Sequence, residues 1–146
     1  MENNKNVPVA KVEDLVIHYE GRENVVEAVN GVSFEINRAD TFGLVGETGA
    51  GKTTIALAMM GLLPFPPTNI IRGKVEIDGE DIQKMSNSQL QKIRGKKVSM
   101  IFQDPMTALN PVMSIGDQIA EVITLHEKVS KAEAQKRAVD MLQMVG

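Results

Sequence analysis

Gly46-Glu47-Thr48-Gly49-Ala50-Gly51-Lys52-Thr53-Thr54 is the stretch on which the reading of the whole chain turns. It follows a short apolar run, Phe42 to Val45, and opens a helical pattern, Ile55 to Leu63. The spacing Gly46-x-x-x-x-Gly51-Lys52-Thr53 fits the phosphate-loop template, and strand, glycine loop and helix is the context that template requires. Glycines at 46, 49 and 51 let the backbone curl and approach a ligand with no Cβ in the way. Successive N–H groups then line a concave anion site. A helix starting near Lys52 adds unpaired N–H groups and the positive end of its dipole. On this template Lys52 reaches the β- and γ-phosphates of a nucleotide and the Thr53 hydroxyl ligates Mg²⁺. The competing reading is a flexible Gly-rich turn with an exposed lysine. The motif alone specifies a ligand class and no particular enzyme.

Outward from this loop, composition sets limits. The 146 residues suit one domain, and 42% hydrophobic with 24% charged residues is ordinary for a globular chain. A net charge of -3 gives no whole-chain polycation to argue for nucleic acid. The absence of Cys rules out a disulfide framework, a Cys-ligated zinc and an iron–sulfur cluster within these residues. No apolar run approaches a membrane span, and Met1 to Val7 lacks an apolar secretory core, so an intracellular soluble chain is the default expectation.

Before the loop, Met1 to Pro8 reads as a polar tail. A strand is expected from about Val9 to Tyr19, bent near Glu13-Asp14, then a loop over residues 20–24 and a short strand from Val25 to Val29. Asn30-Gly31 predicts a tight turn. The alternation of Val32, Phe34 and Ile36 predicts a further half-exposed strand. Thr41 to Val45 reads as a strand buried on both faces. After the loop, a helix over residues 53–63 is stopped by Pro64, with Gly61 an internal weakness. Ile70 to Ile77, broken by Gly73, reads as a strand pair or one bent strand. Ser86-Asn87-Ser88 caps a short helix from Gln89 to Arg94 that ends at Gly95. Lys97 to Gln103 is a buried-type strand. Ser114 caps a helix over residues 115–126, and Ser130 with Glu133 has the spacing of a capping box for a helix over residues 131–145. Ala134, Ala138, Met141, Leu142 and Val145 share a face of that last helix.

The basic cluster Lys92, Arg94, Lys96 and Lys97 reads first as a solvated helix end and strand edge, and second as an anion patch. The nine Met residues read as core filler, and His18 and His126 as structural or surface residues without metal-ligand spacing.

Several stretches together resemble one family. Gly46 to Thr54 is similar to the Walker A motif of ABC transporter ATPases. Val98 to Gln103 with Asp104-Pro105 resembles that family's Q-loop. More narrowly, Ile101 to Pro111, Ala28 to Phe34 and Ala58 to Pro64 resemble the oligopeptide and dipeptide importer ATPases. The resemblance runs from about Ala10 onward. It implies an α/β P-loop NTPase fold of the ABC ATPase type. An antiparallel β-subdomain would span 9–37, a P-loop core segment 41–110 and the start of the helical subdomain 111–146. It further implies that Tyr19 stacks on adenine, that Gly46, Glu47, Thr48, Gly49, Ala50, Gly51, Lys52, Thr53 and Thr54 hold the phosphates of ATP, and that Thr53 and Gln103 serve Mg²⁺. Gln103 would also meet the attacking water and couple the nucleotide to two transmembrane permease subunits. A second ATPase subunit and, indirectly, an extracytoplasmic peptide-binding protein complete the implied partners, and the implied place is the cytoplasmic face of the membrane.

The departures limit this. The LSGGQ signature, the Walker B acidic strand, the D-loop and the switch histidine do not occur in these 146 residues. Hydrolysis also needs a group to orient water and further charge on the γ-phosphate. The expectation is therefore the N-terminal part of a peptide-importer ATPase that binds nucleotide weakly, turns over little by itself, and has an open apolar sheet edge or helix face. The rival readings are another P-loop enzyme and a non-hydrolytic interaction fragment. No Asn-Lys-x-Asp stretch for guanine is present, which counts against a GTPase.

Overall fold

In the computed structural model, which describes residues 7–104 and 108–146, contacts divide the chain into two units, one extending through Val98 and one from Ser99 to Gly146. Most of the polar tail expected at the N-terminus, and Pro105 to Thr107, lie outside the described residues.

The first unit is built on long strands, β1 (Ala10–Glu20), β2 (Val25–Ile36) and β3 (Thr68–Ile77), with a two-residue β4 (Glu80–Asp81). Among the described residues they form one antiparallel sheet in the order β2-β1-β3-β4. β1 lies between two neighbours, which explains its mixed pattern: Val12, Leu15, Val16 and Ile17 are all buried. The expected bend at Glu13-Asp14 is a register break against both neighbours, with Asp14 at φ 42°. The Asp14 N–H donates to Ser33 Oγ at 2.8 Å, and its carboxylate takes both arms of the Arg72 guanidinium at 2.8 and 3.2 Å. This pair is exposed, so it fixes geometry and adds at most about 1 kcal/mol.

Two expectations about this region are corrected. Asn30-Gly31 makes no hairpin turn: β2 runs continuously, pairing Asn30 with Val16 and Val32 with Leu15, so Gly31, at φ 72°, is the extra residue of a bulge. The left-handed preference that marks Asn-Gly as a turn serves a bulge equally well. Thr41 to Val45 forms no ladder, and Val45 is 93% exposed. A run buried on both faces must belong to a sheet covered on both sides, and residues 41–45 join no sheet among the described residues. Its one ring contact is Phe42 stacked on Phe34, centroids 4.8 Å apart.

Against the sheet pack α1 (Lys52–Met59), a 3-10 turn (Ile82–Lys84) and α2 (Asn87–Ile93). Val12, Leu15, Ile17, Val75 and Ile77 meet Ile55, Ala58, Ile82, Leu90 and Ile93 in one core. Each fully buried aliphatic side chain contributes about 1.5–3 kcal/mol. α2 begins with a full capping box, Ser86 with Gln89. α1 ends earlier than expected. Leu62 N–H reaches Leu57 O at 2.8 Å and Gly61 N–H reaches Ala58 O at 3.0 Å, so Gly61 terminates the helix instead of weakening its middle. Arg94 and Val98 form an isolated bridge, and the strand expected over 97–103 does not form.

The second unit holds α3 (Ile115–His126) and α4 (Lys131–Val145), capped by Ser114 and Ser130. Ala120, Ala134 and Ala138 let the two helices approach closely, with Ile119, Ile123 and Val129 around them. The face expected for α4 is buried only in its first half: Met141, Leu142 and Val145 are exposed.

Candidate functional site

The loop between Val45 and α1 is held by few bonds of its own. Ala50 N–H donates to Glu47 O at 3.1 Å, closing a turn. Gly51, the N-cap of α1, sits at φ 80°, ψ 2° and offers no side-chain cap to the first-turn amides. A Cβ on Gly51 would overlap the Ala28 carbonyl oxygen of β2, so the loop passes flush against the sheet where only glycine fits. The helix start is thus fixed by its neighbour, and its leading N–H groups keep their donor capacity for an external acceptor.

The Lys52 ammonium folds back over this curl and donates to Gly46 O at 2.6 Å and Glu47 O at 2.5 Å. Residues Gly49 to Thr54 line a cavity of about 130 Å³. That is below the several hundred Å³ of a site enclosing a whole drug-sized ligand, and it suits a compact anionic group gripped by backbone N–H donors. Thr53 lines this cavity and is exposed. Among the described residues no cluster of three or more His, Cys, Asp or Glu could hold a metal, so a cation here would take most of its ligands from the bound anion.

Tyr19, near the end of β1, is half-buried, and its hydroxyl lies 3.3 Å from Thr54 Oγ1 in the first turn of α1. This contact ties the aromatic ring to the helix that follows the loop, 35 residues away in sequence. The structure thus brings Tyr19 together with Gly51 to Thr54. Gln103 is exposed and belongs to the second unit.

Two features were hidden from sequence reasoning. The Tyr19–Thr54 contact depends on the β1–α1 packing and leaves no spacing signal. Arg94, grouped by composition with a solvated basic cluster, turns inward onto the carbonyls of Met60 and Gly61 at 2.8 and 2.5 Å. Its neighbour Lys97 does pair at the surface, with Glu80 and Asp78, and the Glu80 hydrogen bond raises its pKa above the ordinary lysine value. A larger cleft of about 530 Å³, lined by Met113, Asp117, Ala120, Glu121, Thr124 and Lys131, lies in the second unit. Asp117 there accepts from Ser114 Oγ at 2.7 Å and from Gln135, which together hold its carboxyl below the usual range.

Comparison with known proteins agrees with this geometry. Residues 29–146 match the family model described as ABC transporter. The chain is 45% identical over 136 residues to the oligopeptide transport ATP-binding protein OppD of Bacillus subtilis, covering 93% of this chain and 38% of that protein. It is 41% identical over 138 residues to the dipeptide transport ATP-binding protein DppD of the same organism, covering 94% and 41%. It is 43% identical over 136 residues to the probable D,D-dipeptide transport ATP-binding protein DdpD of Escherichia coli, covering 93% and 42%. The chain therefore spans about two-fifths of the length of these curated relatives. Among solved structures, the ATP-binding cassette MJ0796, a dimer in a post-hydrolysis state bound to ADP and Pi, superposes with a TM-score of 0.76 at 22% identity, covering 92% of this chain and 56% of that one. That likeness establishes the fold: α/β, of the ABC ATPase type. A bacterial Atm1-family exporter with ATP bound gives a TM-score of 0.53 at 28% identity over 82% of this chain and 18% of that one.

Proposed function

The chain belongs to the ABC transporter family, and we propose that it is the ATP-binding N-terminal portion of a peptide importer's ATPase subunit. The observation that carries this reading is the loop from Gly46 to Thr54, with Lys52 folded over it and a glycine N-cap leaving the first-turn amides available, in a chain 41–45% identical to oligopeptide and dipeptide transport ATP-binding proteins.

The roles follow from the chemistry of each group. The backbone of Gly46, Glu47, Thr48, Gly49, Ala50 and Gly51 and the amides of Lys52, Thr53 and Thr54 surround the β- and γ-phosphates. The Lys52 ammonium exchanges two carbonyl acceptors for phosphate oxygens, which form stronger charge-assisted bonds. Mg²⁺, when bound, would neutralise phosphate charge, with the Thr53 hydroxyl as the protein oxygen that the loop offers it. Tyr19 offers its ring face to adenine. Residues 9–37, 41–110 and 111–146 act respectively as the β-subdomain, the P-loop core segment and the start of the helical subdomain.

In the whole protein, two permease subunits and a second ATPase subunit are the partners, with a peptide-binding protein outside the membrane, and the subunit sits at the cytoplasmic face. Among the described residues no helix is long and apolar enough to cross a membrane, which fits a peripheral place. These 146 residues bind nucleotide weakly; they release little or no phosphate, because within them no acidic pair follows an apolar strand after Gln103.

The reading is tested by replacing the matching segment of the Bacillus subtilis oligopeptide relative with these residues. The hybrid should support oligopeptide uptake and lose it with Lys52→Ala, while the isolated chain releases phosphate from Mg·ATP no faster than its Lys52→Ala variant. A folded hybrid that imports nothing, or imports equally well with Lys52→Ala, contradicts it.

A further inference from the structure

We infer that Arg94 is a positioning residue for the phosphate loop: its guanidinium clamps the far end of α1 and so fixes how the loop-bearing end is presented. This rests on the nucleotide-binding reading of that loop.

α1 has eight residues, so it is a rigid rod about 12 Å long. A rod of that length has little freedom to bend, and a tilt at one end appears at the other. At the loop end it is fixed by the close pass of Gly51 along Ala28 and by the Tyr19–Thr54 contact. Its middle buries only Thr54, Ile55 and Ala58. At the far end the carbonyls of Ala56, Leu57 and Ala58 are taken by Met60, Leu62 and Gly61 N–H groups. The next carbonyls, Met60 and Gly61, have left the helical path and receive Arg94 Nε and Nη2 at 2.8 and 2.5 Å. One planar fork thus holds two consecutive carbonyls, and its positive charge stands at the negative end of the helix dipole.

The surroundings are fitted to this clamp. Gly61 lies at φ 61°, and a Cβ there would come within 3.0 Å of Leu90 and 3.2 Å of Arg94 Nη2. Leu90, one turn before Arg94, and Ile93, the residue next to it, are buried in the core beside α1. Arg94 itself is anchored, its N–H donating to Leu90 O at 3.0 Å and its backbone bridging to Val98. The guanidinium therefore projects from a fixed base, as a positioning group requires. Lysine keeps the charge but lacks the rigid planar fork that matches two consecutive carbonyls, and glutamine has neither the charge nor the fork.

The test uses the full chain with Arg94→Gln and Arg94→Lys, titrated with Mg·ATP, with the bound nucleotide followed by phosphorus NMR and the unliganded variants by thermal unfolding. Arg94→Gln should weaken Mg·ATP about tenfold, the equivalent of losing one good charge-assisted contact, and move the β-phosphate resonance of the bound nucleotide. Arg94→Lys should recover part of both effects, and it remains informative if the Gln variant does not fold. A variant that melts earlier but keeps the wild-type affinity or the wild-type β-phosphate resonance overturns the inference, leaving Arg94 a purely structural residue. Wild-type protein that binds no Mg·ATP overturns the nucleotide reading itself, which separates the two failures.

Discussion

Gly51→Ala isolates the packing on which the loop depends. Alanine at this position meets two penalties. The residue sits at φ 80°, a left-handed conformation that costs a non-glycine residue about 1–2 kcal/mol. The new Cβ would also overlap the Ala28 carbonyl oxygen and come within 3.2 Å of Val29 Cγ2. Neither neighbour yields easily, because Val29 is buried and paired with Ile17, and Ala28 is held in β2 between the paired residues Glu27 and Val29. Forcing a methyl into such packing costs a further 1–3 kcal/mol or so, giving a total of about 2–5 kcal/mol. Gly49 supplies the control. It has a similar φ, 85°, but a Cβ there meets nothing within 4 Å, so Gly49→Ala should cost only the conformational part, about 1–2 kcal/mol. Urea unfolding followed by circular dichroism compares the two directly. The Gly51 variant should unfold at clearly lower urea, with the midpoint difference set by the clash alone. Equal midpoints would refute the claim that the loop is pressed against β2.

Three further outcomes follow from other parts of the chain. Ser86→Ala removes the hydroxyl half of the α2 capping box and should destabilise the first unit by about 0.5–2 kcal/mol, read as faster amide exchange at Gln89 and Leu90. Tyr19→Phe keeps the ring and loses the Thr54 contact, so ATP affinity should fall less than in Tyr19→Ala, where the stacking face is lost as well; an equal loss would assign the residue's effect to its hydroxyl. Asp117 has its pKa lowered by Ser114 and then Gln135, so its contribution to the second unit is present above the unfolded carboxylate value and is lost as pH falls through the lowered folded value. Asp117→Asn should remove that acid-side slope from the unfolding of the α3–α4 pair, and an unchanged slope would contradict the assignment.

Local chemistry was the legible part of the fold. The loop, the caps at Ser86, Ser114 and Ser130, and the bend at Glu13-Asp14 are written in a few adjacent residues, and the structure places each where pattern reasoning expects it. The misses involve neighbours. Asn30-Gly31 looks the same to a turn as to a bulge, and only the uninterrupted pairing of β2 along β1 decides between them. Phe42, Leu44 and Val45 have the composition of a doubly buried strand, yet burial depends on partners that composition cannot name. Gly61 read as a weak point because helix propensity ignores how a left-handed residue closes the last turn. Of the candidate site, the glycine loop was legible because its backbone N–H groups are consecutive in sequence. The Tyr19–Thr54 contact and the Arg94 clamp join residues 35 and more than 30 apart, and no periodicity carries such pairings.

The central claim is that Gly46 to Thr54 grips a nucleotide by its terminal phosphates. Calorimetric titration of the chain with ATP, ADP and AMP in the presence of Mg²⁺ tests this most directly. On this claim ATP and ADP should bind, AMP should bind at least about tenfold more weakly because it lacks the β-phosphate that the loop amides and Lys52 would surround, and Lys52→Ala should remove the difference. Equal affinity for all three nucleotides, or a preference for ATP and ADP that survives Lys52→Ala, would contradict it.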